Sequence, residues 1–264
     1  MSHVIAIANQ KGGVGKTTTA VNLGASLAAA EHRVLVIDMD PQGNASSGLG
    51  VDVHTTRASL YGVLLDHVPV GEALVRGVHL PLLDVIPASL ELAGAELELV
   101  AQPAARFRLR NAIAGVKGVY DFILIDCPPA LGLLTLNALA AADSVLIPVQ
   151  TEFFALEGLS QFVEGIEAVR QHLNPRLRIG GVLLTMHDSR LGLSREVEKE
   201  TRSYFGPQTL RTTIPRNVRL AEAPSFGKPA LAYDINSAGA QAYLALAGEL
   251  TALAPHPRQQ LAGV

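Results

Sequence analysis

Cysteine is nearly absent from this chain of 264 residues, where Cys127 stands alone. One thiol cannot build a disulfide framework, a thiolate zinc site or a single-chain iron–sulfur cage, and this usage fits a reducing cytoplasm. Cys127 itself reads as a buried strand-end residue. Charge is also scarce: 17% of residues are charged and the net charge is −3. The molecule as a whole therefore does not attract nucleic acid, and any such binding needs a local patch. Long apolar runs are missing too. Residues 4–8 are apolar, but Asn9, Gln10 and Lys11 follow at once, which is wrong for a signal peptide. Residues 131–149 are interrupted by Thr135, Asn137 and Asp143 and pass from an Ala/Leu-rich half to a Val/Ile-rich half. A helix followed by a buried strand explains that better than a membrane span. The eight histidines are dispersed without metal-ligand spacing. No internal repeat or low-complexity linker divides the chain.

What is present is apolar material, 48% of the chain, enough for one well-packed domain at this length. Residues 3–8, 33–38, 83–86, 121–126, 144–149 and 179–184 read as buried strands. Helical stretches at 16–30, 91–100, 106–116 and 156–172 lie between them, and 40–50 reads as a loop with Pro41, Gly43, Gly48 and Gly50. Near-continuous apolar strands alternating with helices predict an α/β fold, a mostly parallel twisted sheet with helices on both faces. The expected division is one domain over residues 1–254 and a flexible tail over 255–264.

Directly after the first strand comes Gly12-Gly13-Val14-Gly15-Lys16-Thr17-Thr18, which also opens the first helix. Glycines there let backbone N–H groups turn inward onto phosphate oxygens, and the helix N-terminus adds its positive end. Lys16 should reach the β and γ phosphates, the Thr17 hydroxyl should ligate Mg²⁺ and Thr18 should donate to the α-phosphate. The strict G-x-x-x-x-G-K-[ST] spacing is met only with Gln10 in place of the first glycine. A ligand-free glycine turn would not need a Lys-Thr pair between a strand and a helix. Asp126 ends an apolar strand expected beside the first and is the candidate to hold the magnesium, through water. The plain alternative is a strand-end Asp capping the turn before Pro128. Asp38 and Asp40 end the second strand, and spacing alone does not choose which faces the γ-phosphate.

The segment from Lys11 to Thr18 resembles the deviant Walker A motif of the ParA/MinD group of P-loop ATPases. Asp38-Met39-Asp40-Pro41-Gln42-Gly43-Asn44 is similar to the signature that follows in the ParA (Soj) branch, and residues 121–129 to its Walker B region. Ile214-Pro215-Arg216-Asn217-Val218-Arg219, Glu222-Ala223-Pro224-Ser225 and Gly227-Lys228-Pro229 resemble the same branch near its C-terminal end. The resemblance runs from about residue 3 to about residue 250. It implies a single P-loop NTPase domain that takes ATP and Mg²⁺ and hydrolyses slowly. It makes Lys11 the signature lysine, which crosses a dimer interface to the phosphates of the other subunit much as an arginine finger does. By the same resemblance Gly12 lets two loops approach closely, Asp40 orients the attacking water, and Pro215 and Asn217 border the adenine. From position alone Lys11 could equally be a solvated loop lysine.

The branch binds DNA non-specifically as an ATP dimer, and the local charge agrees. Residues 170–228 hold eleven arginines and lysines against five carboxylates, a polarity able to build a patch on an acidic protein. Arg190 and Arg219 match the family's DNA-contact positions best, with Arg216 next, although scattered arginines and glutamates are commonly just a solvated face. The expected function is a DNA-partition ATPase that forms a nucleotide-sandwich homodimer, binds double-stranded DNA in the nucleoid of the cytoplasm, and lets go after hydrolysis stimulated by a ParB-type partner. With no helix-turn-helix before residue 3, it resembles the short form. The alternative is a MinD-like, membrane-cycling regulator of division, which requires a basic amphipathic helix at the C-terminal end. Pro255, Pro257 and the lone Arg258 argue against that and against a membrane partner. A nitrogenase-reductase type needs bridging cysteines that Cys127 alone cannot supply. A small-molecule ligase remains open from fold alone.

Overall fold

The apolar runs become six strands: β1 (His3–Ile7), β2 (Val34–Asp38), β3 (Leu83–Ile86), β4 (Phe122–Asp126), β5 (Ser144–Gln150) and β6 (Arg178–Thr185). The computed structural model describes residues 2–53, 58–152 and 155–253, so the tail at 255–264 lies outside the described residues. The strands form one sheet in the order β3-β2-β4-β1-β5-β6, and every neighbouring pair is parallel. Parallel strands need crossovers, and helices supply them. Between strands lie α1 (Lys16–Ala29), α2 (Asn44–Gly48), α3 (Leu60–Leu64), α4 (Leu92–Val100), α5 (Arg108–Ile113), α6 (Leu133–Ala141) and α7 (Ala155–His172), and after the last strand come α8 (Gly192–Phe205), α9 (Val218–Glu222), α10 (Ala230–Tyr233) and α11 (Ala238–Leu253).

Alternation along β1 shows why both faces are covered. Val4, Ala6 and Ala8 pack into one core with side chains of α3 to α8, while Ile5 and Ile7 pack into a second with α1 and α11. A strand apolar on both sides must bury both, so the sheet is sandwiched between helical layers. Among the described residues no helix is long and apolar enough to cross a membrane. Residues 131–149 are α6 followed by β5. Residues 40–50 differ from the loop expected there: α2 occupies five of them. Pro41, Gly43 and Gly48 suggested only turns, but the Asp38 carboxylate accepts from the Ser46 backbone N–H at 2.7 Å and fixes a short helical turn.

Register sets the site. Asp38 on β2 stands opposite Asp126 on β4, and Asp126 stands opposite Ile7 on β1. Three adjacent strands therefore end level, with the glycine loop leaving the middle of the C-terminal edge. In open α/β sheets ligands collect at such an edge, where the chain turns away in opposite directions.

Candidate functional site

The loop between β1 and α1 is held in shape from two directions. Asn9 donates its amide to Pro148 O at 2.7 Å and accepts from Lys11 N at 3.0 Å. On the other side the Thr185 hydroxyl donates to Val14 O at 2.8 Å. Sequence reasoning missed both anchors, because they join positions 139 and 171 residues apart. Gly13 and Gly15 have φ of 74° and 90°, the left-handed region that side chains avoid. A Cβ on Gly12 or Gly13 would meet nothing within 4 Å, so open space lies over the loop.

The two lysines of the loop face different surroundings. Lys16 is buried, and its ammonium donates to Lys11 O at 3.1 Å. Burial lowers its pKa, and the nearby Asp126 works against that. Lys11 is partly exposed, with its ammonium 3.8 Å from Glu152.

Asp126 is fully buried, and neither carboxylate oxygen has a hydrogen-bond partner among the described residues. Burial and then the neighbouring Asp38 push its pKa well up; the Thr17 hydroxyl and Lys16 lie near enough to oppose them, although no Thr17 hydrogen bond of good geometry forms. Two bare buried oxygens next to a threonine, a lysine and an open glycine loop fit a phosphate-bound divalent cation. Carboxylate and hydroxyl oxygens are also the donor set that magnesium takes.

Asp38 and Asp40 are both buried, but their partners separate them. The Asp38 Oδ2 atom accepts from both the N–H and the hydroxyl of Ser46, at 2.7 and 2.6 Å, and Oδ1 accepts from Asp40 N at 3.3 Å. Burial raises its pKa to about 6 against these bonds. Asp40 accepts from Gln42 N at 3.0 Å, and its charge is felt at both Lys16 and Asp126. Asp38 is thus committed to folding the chain as far as Ser46, while Asp40 sits beside the phosphate loop.

Pro215 pairs with His187 just beyond β6, and Ile214 O accepts from His187 N at 2.9 Å. Asn217 caps α9 by accepting from Arg219 N at 3.0 Å. Both therefore follow the edge strand that anchors the glycine loop. The three candidate arginines are exposed but differ in company. Asp188 grips Arg190 in a two-pronged pair at 2.9 and 2.7 Å. Arg219 pairs with Glu222 at 2.7 Å and Asp234 at 3.3 Å. Arg216 has no ion pair among the described residues. No group of three or more His, Cys, Asp or Glu side chains able to hold a metal occurs among them either.

Comparison with known proteins extends this geometry. A family model described as an AAA domain matches residues 2–179. The chromosome partitioning protein ParA of Myxococcus xanthus is 56% identical over 250 residues, which cover 95% of this chain and 88% of that one. The sporulation initiation inhibitor protein Soj of Bacillus subtilis is 54% identical, covering 96% of this chain and 99% of its own. Among solved structures, cobyrinic acid a,c-diamide synthase from Mycobacterium smegmatis, bound to an ATP analogue and magnesium, matches with a TM-score of 0.83. Its identity is 39%, over 95% of each chain.

Proposed function

Because the chain belongs to the ParA/Soj family of partition ATPases, we propose that it pairs around Mg²⁺-ATP, holds DNA of any sequence in that state, and lets go after a slow hydrolysis that a ParB-type partner stimulates. Nucleoid association in the cytoplasm follows from the same reading. Identity of 56% to a partition protein against 39% to the synthase favours this over a small-molecule ligase.

The observation that carries the proposal is the division of labour between the two loop lysines. Lys16 is turned inward toward the phosphate cradle of its own subunit, and Lys11 is turned outward to a half-exposed carboxylate. An outward lysine on a phosphate loop has a natural target in a facing copy. When bound, Mg²⁺-ATP supplies the transferable phosphoryl group and the cation that screens its oxygens. The backbone from Gly12 to Thr18, including Val14, would hold the phosphates, with Thr17 and Asp126 holding the magnesium. Lys16 would neutralise charge in cis and Lys11 in trans. Asp40, one oxygen held by Gln42 N, would accept a proton of the attacking water and orient it. Pro215 and Asn217 would border the adenine, and Arg190, Arg216 and Arg219 would meet DNA phosphates.

Sedimentation with a slowly hydrolysed ATP analogue tests the pairing. The expected result is a shift from monomer to dimer that Lys11→Ala abolishes while analogue binding survives. A monomer at saturating analogue would overturn the proposal.

A further inference from the structure

The end of β6 and the turn after it touch each part of the site in succession. Thr185 donates its hydroxyl to Val14 O of the phosphate loop at 2.8 Å. His187 pairs with Pro215. Asp188 grips Arg190. Between Thr185 and His187 stands Met186, with φ of 51°. A residue with a side chain is strained in this left-handed region, and it stays there only where its neighbours hold it.

The hold is a closed ring of hydrogen bonds. Thr151, just past β5, donates its N–H to Thr185 O at 3.2 Å. The Thr151 hydroxyl donates to Met186 O at 3.5 Å and accepts from the hydroxyl of Ser194, on α8, at 2.8 Å. Ser194 in turn accepts from Asp188 N at 3.1 Å. From Asp188 the chain itself leads back to Thr185. Thr151, Thr185 and Ser194 are all buried. Buried hydroxyls are costly unless bonded, and a set bonded to one another responds as a unit.

We propose that residues 185–190 act as a strut by which nucleotide in the phosphate loop loosens Arg190 of the same subunit. As the loop closes on phosphates it shifts Val14, Thr185 follows, Met186 relaxes, and the grip of Asp188 on Arg190 opens. This rests on the reading of the loop as the ATP site and of Arg190 as a DNA contact. It adds a coupling inside one subunit, separate from pairing. The direction follows from the grip itself. Its bonds already stand at 2.9 and 2.7 Å, so a shift can only lengthen them. The Arg190 side chain is 87% exposed, where such a pair is worth little and a small displacement undoes it. By linkage, an anion that takes Arg190 must raise nucleotide affinity by the same factor.

The Lys11→Ala protein, expected to bind a slowly hydrolysed ATP analogue without pairing, isolates the single subunit. Its Arg190 Nε–H proton, assigned by its loss in Arg190→Lys, is followed by NMR with and without the analogue and Mg²⁺. Exchange of that proton with water should speed up about fivefold at saturation. Thr185→Val and, separately, Ser194→Ala should abolish the response while the analogue still saturates. Thr185→Ser should restore it. Valine matches threonine in shape and serine only in its hydroxyl, so a mere packing role predicts the reverse order. No acceleration at saturation, or full acceleration in both Thr185→Val and Ser194→Ala, would overturn the strut. Duplex binding by the wild type is measured alongside. Acceleration without duplex binding would remove DNA from the proposed function and leave the strut standing, whereas failure to bind the analogue would remove both.

Discussion

Asp38 and Asp40 lie two residues apart at the end of one strand, and their hydrogen-bond partners differ. Asp38 accepts three hydrogen bonds that build the following turn, so replacing it would damage local structure first. Asp40 spends one oxygen on Gln42 N and lies near Lys16 and Asp126. Asp40→Ala should therefore keep ATP-analogue affinity and trap the paired state, while phosphate release falls by roughly a hundredfold or more. Turnover at the wild-type rate would remove Asp40 from the reaction. Spacing in the sequence could not choose between the two aspartates. The choice rests on Ser46, whose hydroxyl also accepts from Ala88 N, and that residue is 42 positions away in the chain. The glycine loop was legible because all its residues are consecutive. Asn9 and Thr185 were not, because their partners arrive only with β5 and with the loop itself.

At the scale of elements, two of the contacts that hold the C-terminal segment to the rest of the chain can be tested singly. Gly50 and Gly227 meet back to back, with φ of 73° and 61°. A Cβ on Gly227 would lie 2.8 Å from Gly50 Cα. The His79 ring bridges Leu49 O at 3.0 Å and Gly227 O at 2.7 Å, closing the junction. Gly227→Ala adds left-handed strain to an overpacked contact and should destabilise by about 2–3 kcal/mol, which urea unfolding would measure. The second contact is Glu249 on α11, whose carboxylate accepts from the backbone N–H groups of Arg211 and Thr212 at 2.7 and 2.9 Å. Burial pushes its pKa up, but those hydrogen bonds outweigh burial and hold it below the ordinary glutamate range. A carboxylate with a depressed folded pKa stabilises above its unfolded pKa and loses that contribution as pH falls through the folded one. Glu249→Gln should thus cost about 1 kcal/mol at pH 7, allowing for partial exposure. Its melting temperature should converge with that of the wild type below about pH 4. A constant gap across that range would disprove the assignment. Strand positions were legible to within a residue or two, since buried parallel strands are unbroken apolar runs. The five-residue α2 was not, because a single turn has no periodicity to read. For α4 the helix was legible but its exposed apolar face, with Leu97 and Val100, was not, since residues that read as core on both sides do not reveal which side stays bare.

At the scale of the molecule, the basic stretch from 170 to 228 is less free than its count suggests. Arg190 and Arg219 are each engaged by carboxylates of their own chain. On the proposed function DNA phosphates would have to displace those partners, so a single patch should bind weakly, and pairing two patches should multiply affinity through effective concentration. Binding to two unrelated duplexes should therefore require ATP, fall steeply with salt, and weaken about equally for both in Arg219→Glu. Asp188→Asn, which releases Arg190, should strengthen it by a few fold at low salt. Preference for one duplex, or indifference to both Arg190→Glu and Arg219→Glu, would place the patch elsewhere or show that DNA is not the ligand.

The strand order has a consequence for how the chain comes off the ribosome. β1 is translated first but ends up inside the sheet, flanked by β4 and β5. Its first neighbour is not complete until Asp126 has been added. At roughly 5–20 residues per second the nascent chain waits on the order of ten seconds with an apolar strand unpaired on both edges. β2 and β3 can meet earlier, yet they cannot join β1 without the strand that separates them. The strand that leads into the phosphate loop thus precedes both of its neighbours in the chain, and until β4 arrives its two open edges are free to mispair.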